Sequence, residues 1–490
     1  MNILLIQADQ QRRDSLGIYG GEIAKTPAID ELAREGVVFD HAFTPTPLCG
    51  PARASLLTGK RPASHGIVFN SESGCAVGRD FVGDHATLAE LLAAGGYHSV
   101  QCGKWHVGTT LTPRECGFDG VFYPGYGYPD QHPHYLQYLQ KLGAKFELRD
   151  QICSRRPDGS DKYVLAAIQQ GPEEAAVPYY LVNQAIEAIR QSAETGQPFF
   201  ISVNFWGPHA PYILPERYAR MYDPDDIKPW PNFEDNLADK PEIQRAYRRY
   251  WGIEDFTWRE WSRLVAMCYG YVSFIDDQVA RLRAALSETS VAADTAIFYT
   301  SDHGGMVGAH GLADKGPYLY DEICRIPLIA YQPGSSGGRR SDALAYNMDL
   351  MPTILELAGC SVPADLDAVS LLPIIDGQSE SVRGDEPVQI EFHGHQAPYE
   401  QRLVRTRTAK YVFNAPDIDE LYDLQRDPHE LHNLAAGPAH VGLLKEMRHM
   451  MHSLLADRSD PILTFFEGSR LAEGAGHSPV THSATGRIDW

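Results

Sequence analysis

The stretch TPLCGPARASLLTG, residues 46–59, sets a thiol one turn ahead of an arginine. Pro51 suits the first position of a helix, and Gly59 stands near the end of the helical pattern. Cys49 is then expected at a helix mouth, where outward N–H groups and the positive end of the dipole favour an anion. A cysteine there can be a disulfide partner, a zinc ligand, a thiolate nucleophile or a chemically converted side chain. The eight cysteines (49, 75, 102, 116, 153, 268, 324 and 360) form no C-x-x-C pair and match no zinc spacing. Disulfides are disfavoured in a chain that reads as cytoplasmic. The residues alone leave the last two possibilities open.

Four other stretches carry polar side chains just after an apolar run. NILLIQA is followed by Asp9 and Gln10, and HSVQC by Gly103, Lys104, Trp105 and His106. FISVNF leads to His209, and AIFYTS to Asp302 and His303, with Lys315 a little further on. Singly, each has an ordinary reading as a turn residue, a cap or a solvated charge. Together they offer two carboxylates, three histidines, two lysines and an amide. Asp9, Asp302, His303 and Gln10 can hold a divalent cation through oxygen and nitrogen. Arg53, Lys104 and Lys315 supply positive charge for a tetrahedral oxyanion. His106 and His209 can move protons near neutral pH.

For these groups to meet, the strands must end on one edge of a sheet. The sequence alternates strand and helix signals in the way that requires. Helices are predicted over 26–36, 86–96, 179–196, about 259–287 and 348–359, and strands over 97–103, 198–205 and 295–300, besides the N-terminal run. This is the pattern of an α/β domain with a mostly parallel sheet flanked by helices, whose ligands gather outside the carboxyl ends of the strands. Two stretches break the alternation and read as insertions: 120–176, rich in Tyr, Gly, Pro and Gln, and 222–262, which holds four of the seven tryptophans. Residues 1–380 are expected to form the catalytic domain. Residues 381–490, with their short strands and a helix near 441–456, are expected to form a smaller α+β domain ending in an extended tail from about 460.

Of the 490 residues, 43% are hydrophobic, enough to bury a sizeable core. The net charge of −21 argues against nucleic acid as a partner but allows a small anion in a locally basic site. No run is long enough to span a bilayer and the first residues lack a signal-peptide pattern, so no membrane partner is expected. A homo-oligomer is allowed, with the tail packing on a neighbouring subunit.

The motifs resemble those of the sulfatase family, within the alkaline phosphatase superfamily. Cys49-Gly50-Pro51-Ala52-Arg53 matches its C-x-P-x-R signature, and GKWHVG, PHAPY, TSDHGGMVGAHG with Lys315, and ELYDLQRDPHELHNLA follow in family order. The resemblance implies an alkaline-phosphatase-like fold and a Cys49 oxidised to formylglycine by a dedicated maturation enzyme. Its hydrate has one hydroxyl to attack sulfur and a second through which sulfate is later expelled. It implies a metal held by Asp9, Gln10, Asp302, His303 and the converted Cys49. Arg53 would hold the hydrate, Lys104, His209 and Lys315 would bind sulfate oxygens, and His106 would take the proton during elimination. His209, Lys315 or Asp302 would protonate the leaving group.

Two departures bear on specificity. Gln10 stands where many members have Asp, and His303 where many have Asn, a pairing similar to choline sulfatases and phosphonate monoester hydrolases. Ca²⁺ is the first expectation for the metal and Mn²⁺ the alternative. The expected substrate is a small-molecule or saccharide sulfate ester. A phosphonate monoester or phosphodiester is the alternative, since the two share shape and charge, and a non-catalytic anion-binding relative is a third reading. Of the remaining histidines, His65 is expected to brace the signature helix, and His310, His393 and His395 are candidates to approach the pocket. The tryptophans of 222–262 are expected to pack within the insertion or to stack on a sugar.

Overall fold

The computed structural model describes residues 1–471 apart from 76, 124 and 336. Its centre is an eight-stranded sheet in the order Arg339–Tyr346, Val37–Phe43, Leu328–Tyr331, Thr295–Ser301, Asn2–Ala8, Phe199–Asn204, His98–Gly103 and Asp119–Gly120. Leu328–Tyr331 runs antiparallel to both neighbours, and the other pairings are parallel. The strand Asn2–Ala8 is buried along its whole length because both of its faces are covered. Leu4 and Ile6 pack under the helices Pro27–Glu35, Val177–Thr195 and Trp258–Ser287. Ile3 and Leu5 face Cys49–Thr58, Leu88–Ala94 and Leu350–Leu357.

The registers align the strand ends that matter. Gln7 lies opposite Asn204, Ala8 opposite Ser301, and Gly103 opposite Asn204, so the next residues of each strand leave the same sheet edge. Gly103 has φ +98°, and a Cβ there would lie 2.1 Å from the Asn204 carbonyl oxygen. Only glycine lets the chain turn toward Lys104 that close to its neighbour.

Several expectations are corrected. The signature helix begins at Cys49, with Leu48 as its N-cap, so Pro51 is its third residue rather than its first. Both insertions are packed structure. Residues 120–176 contain the helix Pro133–Lys141 and the hairpin Leu148–Arg155/Asp161–Gln169, which pairs with Tyr212–Pro215 in a three-stranded sheet. In 222–262, Trp230 and Trp258 donate their indole N–H groups to the carbonyls of Val307 and Ile227 and pack against the main core. The packing reading of these tryptophans holds.

Near the C-terminus, Val388–Gly394, Pro398–Arg405, Ala409–Ala415 and Glu420–Asp423 form an antiparallel sheet, covered by the helix Val441–Asp457. The start of the expected tail is not extended. Asp460 pairs with Arg402 at 2.7 Å, and Leu463–Phe466 is helical and buries Phe466. The rest of the expected tail, 472–490, lies outside the described residues. No helix among the described residues is long and apolar enough to cross a membrane.

Candidate metal and anion site

Asp9, Cys49, Asp302 and His303 meet at the carboxyl edge of the sheet, all fully buried, with one ligand atom of each within 4.8 Å of the others. Cys49 Sγ lies 3.1 Å from His303 Nε2 and 3.6 Å from Asp9 Oδ1. Backbone amides hold the second acid in place: the N–H groups of Gln10 and His303 donate to Asp302 Oδ1 at 3.0 and 2.9 Å. His303 Nδ1 is 2.7 Å from the Gly304 carbonyl oxygen. A carbonyl only accepts, so Nδ1 carries a proton and Nε2 is the nitrogen that faces the cluster, offering its lone pair when the ring is neutral. Two carboxylates and an imidazole presented through its lone pair fit a divalent cation.

Positive charge surrounds this core. Arg53 Nε donates to Asp302 Oδ2 at 2.9 Å, and its Nη1 donates to Asn204 Oδ1 and to the Lys104 carbonyl at 3.2 and 3.3 Å. Its Nη2 stands 3.9 Å from Asp9 Oδ2 and makes no hydrogen bond among the described residues. Lys104 Nζ pairs with Asp9 Oδ2. Lys315 Nζ contacts His209 Nε2 at 2.6 Å, Asp314 Oδ1 at 3.2 Å and Gln10 Oε1 at 3.3 Å. Asp9, Gln10, Cys49, Arg53, Lys104, His209, Asp302, His303 and Lys315 thus meet at one site.

The charges set the protonation states. Burial resists ionisation of the Cys49 thiol, but Lys104, Lys315 and His303 outweigh it and hold its pKa well below the ordinary value. Burial, with Asp302 and Cys49 close by, raises Asp9. Burial also opposes Asp302, yet His303 and Arg53 hold it below the usual carboxylate range. The carboxylate pair is therefore unequal, with Asp302 the firmer anion.

His106 enters from beside the helix mouth. A Cβ on Gly50 would stand 2.9 Å from the His106 carbonyl, so the glycine of the signature admits this backbone. His65 braces the signature helix through Ser55 Oγ at 3.0 Å. His310 does not reach the pocket; it stacks on Tyr320 and pairs with Asp235 at 2.7 Å. His393 lies between Glu391 and Glu400. His395, at the turn between the first two strands of the C-terminal sheet, does face the site. Burial and Lys315 push its pKa down to about 4, and its Nδ1 has no partner among the described residues.

Sequence reading missed Asn70, Glu72, Asn204 and Asp314. Asn70 Oδ1 accepts the Gly50 N–H at 3.0 Å, and Asp314 pairs with Lys315. Asn204 was legible as the last residue of its strand. The others sit in loops where a polar residue carries no periodic signal.

A family model described as Sulfatase matches residues 1–360, and one described as N-sulphoglucosamine sulphohydrolase, C-terminal, matches residues 308–457. The arylsulfatase of Clostridium perfringens (strain 13 / Type A) is 30% identical over 510 residues, covering 98% of this chain and 99% of that protein. The uncharacterized sulfatase YidJ of Escherichia coli (strain K12) is 30% identical over 474 residues, covering 94% and 87%. The phosphonate monoester hydrolase of Agrobacterium radiobacter has a similar crystal structure, with a TM-score of 0.77 and 26% identity over 93% of this chain and 95% of that one. The buried cluster at the sheet edge, the alkaline-phosphatase-like architecture and these matches agree: the chain belongs to the sulfatase family of hydrolases acting on sulfuric esters.

Proposed function

We propose that the protein hydrolyses the sulfate monoester of a small alcohol or saccharide at the site built on Cys49. The observation that carries this reading is the convergence of Asp9, Cys49, Asp302 and His303 within 4.8 Å, flanked by Lys104 and Lys315. Asp9, Asp302 and His303, with Gln10, would hold a divalent cation, Ca²⁺ or Mn²⁺, which supplies Lewis-acid polarisation, while formylglycine made from Cys49 by a maturation enzyme supplies the nucleophile.

The chain's own side chains do the rest. Arg53 locks Asp302 through Nε and turns the free Nη2 toward the cluster. Lys104 and Lys315 bring ammonium groups to the place where a tetrahedral anion must sit. Lys315 donates to His209 Nε2, so the pair holds a proton next to the leaving oxygen. His106 accepts the proton that leaves residue 49. Its Nδ1 has no other partner among the described residues.

Side-by-side turnover of p-nitrophenyl sulfate, choline sulfate, sulfated sugars and a phenyl phosphonate ester tests the reading. Preferred turnover of a sulfate ester supports it. Phosphonate turnover without any sulfate turnover overturns it. That second outcome has its own support: Gln10 and His303 share the site with Asp9 and Asp302, and a phosphonate monoester hydrolase is among the similar structures. An unmodified thiol at Cys49 in protein from its native host, read by peptide mass, overturns the formylglycine assignment.

A further inference from the structure

We propose that Glu72 is a positioning residue that fixes the tautomer of His106 and so presents an unprotonated Nδ1 to residue 49. This rests on the sulfate-ester reading above for its catalytic consequence, but not for its structural content. His106 is almost fully buried, and its Nε2 lies 2.7 Å from Glu72 Oε2. A carboxylate can only accept, so the proton of the neutral ring sits on Nε2 and the lone pair on Nδ1. That nitrogen has no hydrogen-bond partner among the described residues. The residue nevertheless borders the site: a Cβ on Gly50 would stand 2.9 Å from its carbonyl oxygen, and the Tyr126 ring that it meets also bears Lys104 Nζ at 4.4 Å from its centroid and His209 at 5.5 Å.

The carboxylate is itself held in place. Glu72 Oε1 accepts from Asn70 Nδ2 at 3.2 Å, and Oε2 accepts from Ser71 Oγ at 3.2 Å. The carbonyl end of the same Asn70 amide accepts the Gly50 N–H at 3.0 Å. One amide side chain thus ties Glu72 to the helix that carries Cys49, so acid, imidazole and residue 49 keep a common frame. The His106 backbone adopts φ +61°, a conformation uncommon for a side-chain-bearing residue. The edge of its ring meets Tyr126, with centroids 5.7 Å apart. The side chain of Glu72 is half exposed, and an ordinary surface ion pair of that kind contributes little. Here the partner is buried and has a second nitrogen to direct, so the pairing decides which atom can take a proton. The arrangement follows the logic of an acid that orients a histidine base.

The test is the tautomer of His106 in the full-length, calcium-loaded protein, read by nitrogen NMR of labelled histidine at alkaline pH. The His106 signals are identified by their loss in His106→Gln. The wild type is expected to show a protonated Nε2 and an unprotonated Nδ1. In Glu72→Gln the Asn70 NH2 group keeps the amide oxygen at the Oε1 position, so the NH2 of the glutamine faces Nε2 and the proton is expected on Nδ1. A wild type protonated at Nδ1, or an unchanged tautomer in a folded Glu72→Gln, overturns the proposal. If that variant does not fold, the wild-type spectrum alone decides. Kinetics with p-nitrophenyl sulfate or the phenyl phosphonate ester, whichever the wild type turns over, give a second readout. Glu72→Gln is expected to lower kcat about 10- to 100-fold with KM within about twofold. A wild type inactive on every ester is a failure of the sulfate-ester reading, and the tautomer still tests Glu72 separately.

Discussion

Arg53 illustrates how much one side chain must do at this site. It reaches Asp302, Asn204 and the Lys104 carbonyl at once and keeps Nη2 directed toward Asp9. A lysine ammonium is a point charge without that planar fork. Arg53→Lys is therefore expected to cut kcat/KM for the preferred ester by about 100-fold or more, in line with the loss of a positioned charge-assisted donor in a buried site. Steady-state kinetics on a variant with an unchanged melting temperature check this. Asp302 has a different role, as the firmer anion of the pair. Asp302→Asn is expected to lower the metal bound per chain by more than about tenfold after dialysis, measured by elemental mass spectrometry. Metal content equal to wild type would remove Asp302 from the ligand set. These residues were legible in the sequence because a carboxylate at a strand end and a thiol at a helix mouth follow from topology alone. Asn70 and Glu72 were not, because they act from a loop through hydrogen bonds to residues far along the chain.

At the scale of elements, the helix Pro27–Glu35 shows what local patterns leave out. Thr26 precedes it like an N-cap, yet its hydroxyl accepts the Gly17 N–H instead. The first turn is capped from outside: Asp276, midway along Trp258–Ser287, accepts the N–H groups of Ala28 and Ile29 at 3.1 and 2.8 Å. Asp276→Ala strands two buried donors and is expected to cost about 1–3 kcal/mol in urea unfolding. Burial pushes the Asp276 carboxyl from 3.8 up to about 7. A carboxyl raised on folding stabilises fully below its unfolded pKa and loses that contribution as pH rises through its folded one. The stability of the wild type relative to Asp276→Asn is thus expected to fall between about pH 4 and pH 7. A flat difference would show that Asp276 is ionised throughout. The central strands were readable as near-continuous apolar runs. The strands Leu328–Tyr331 and Arg339–Tyr346 were not, one for its four-residue length and the other for the polar Arg-Arg-Ser-Asp with which it opens.

At the scale of the molecule, a change of character near residue 380 marks a second sheet in the sequence, but not how firmly it is docked. Phe392, Leu403 and Val412 of that sheet share a core with Met306, Tyr318 and Tyr320 of the segment after the Asp302 strand. Charges knit the same contact. Arg405 donates to both oxygens of Asp321 at 3.1 and 2.9 Å, and the buried Lys410 pairs with Glu430 and reaches the Leu319 carbonyl at 2.7 Å. Asp321 stands six residues beyond Lys315, so the C-terminal sheet braces the segment that carries an anion-facing lysine. Asp321→Asn leaves Arg405 and Lys410 short of a countercharge in a buried place and is expected to cost about 3 kcal/mol. Despite its own burial, Arg405 and Lys410 hold the Asp321 carboxyl far below its ordinary 3.8. Its contribution is then complete above about pH 4 and declines only as the pH falls further. Urea unfolding of wild type and variant at neutral pH and near pH 3 reads both points. The full difference at neutral pH, a smaller one in acid and a single transition throughout are expected if the two sheets unfold together. A variant as stable as wild type at neutral pH would mean that the shared apolar core holds the second sheet without these charges.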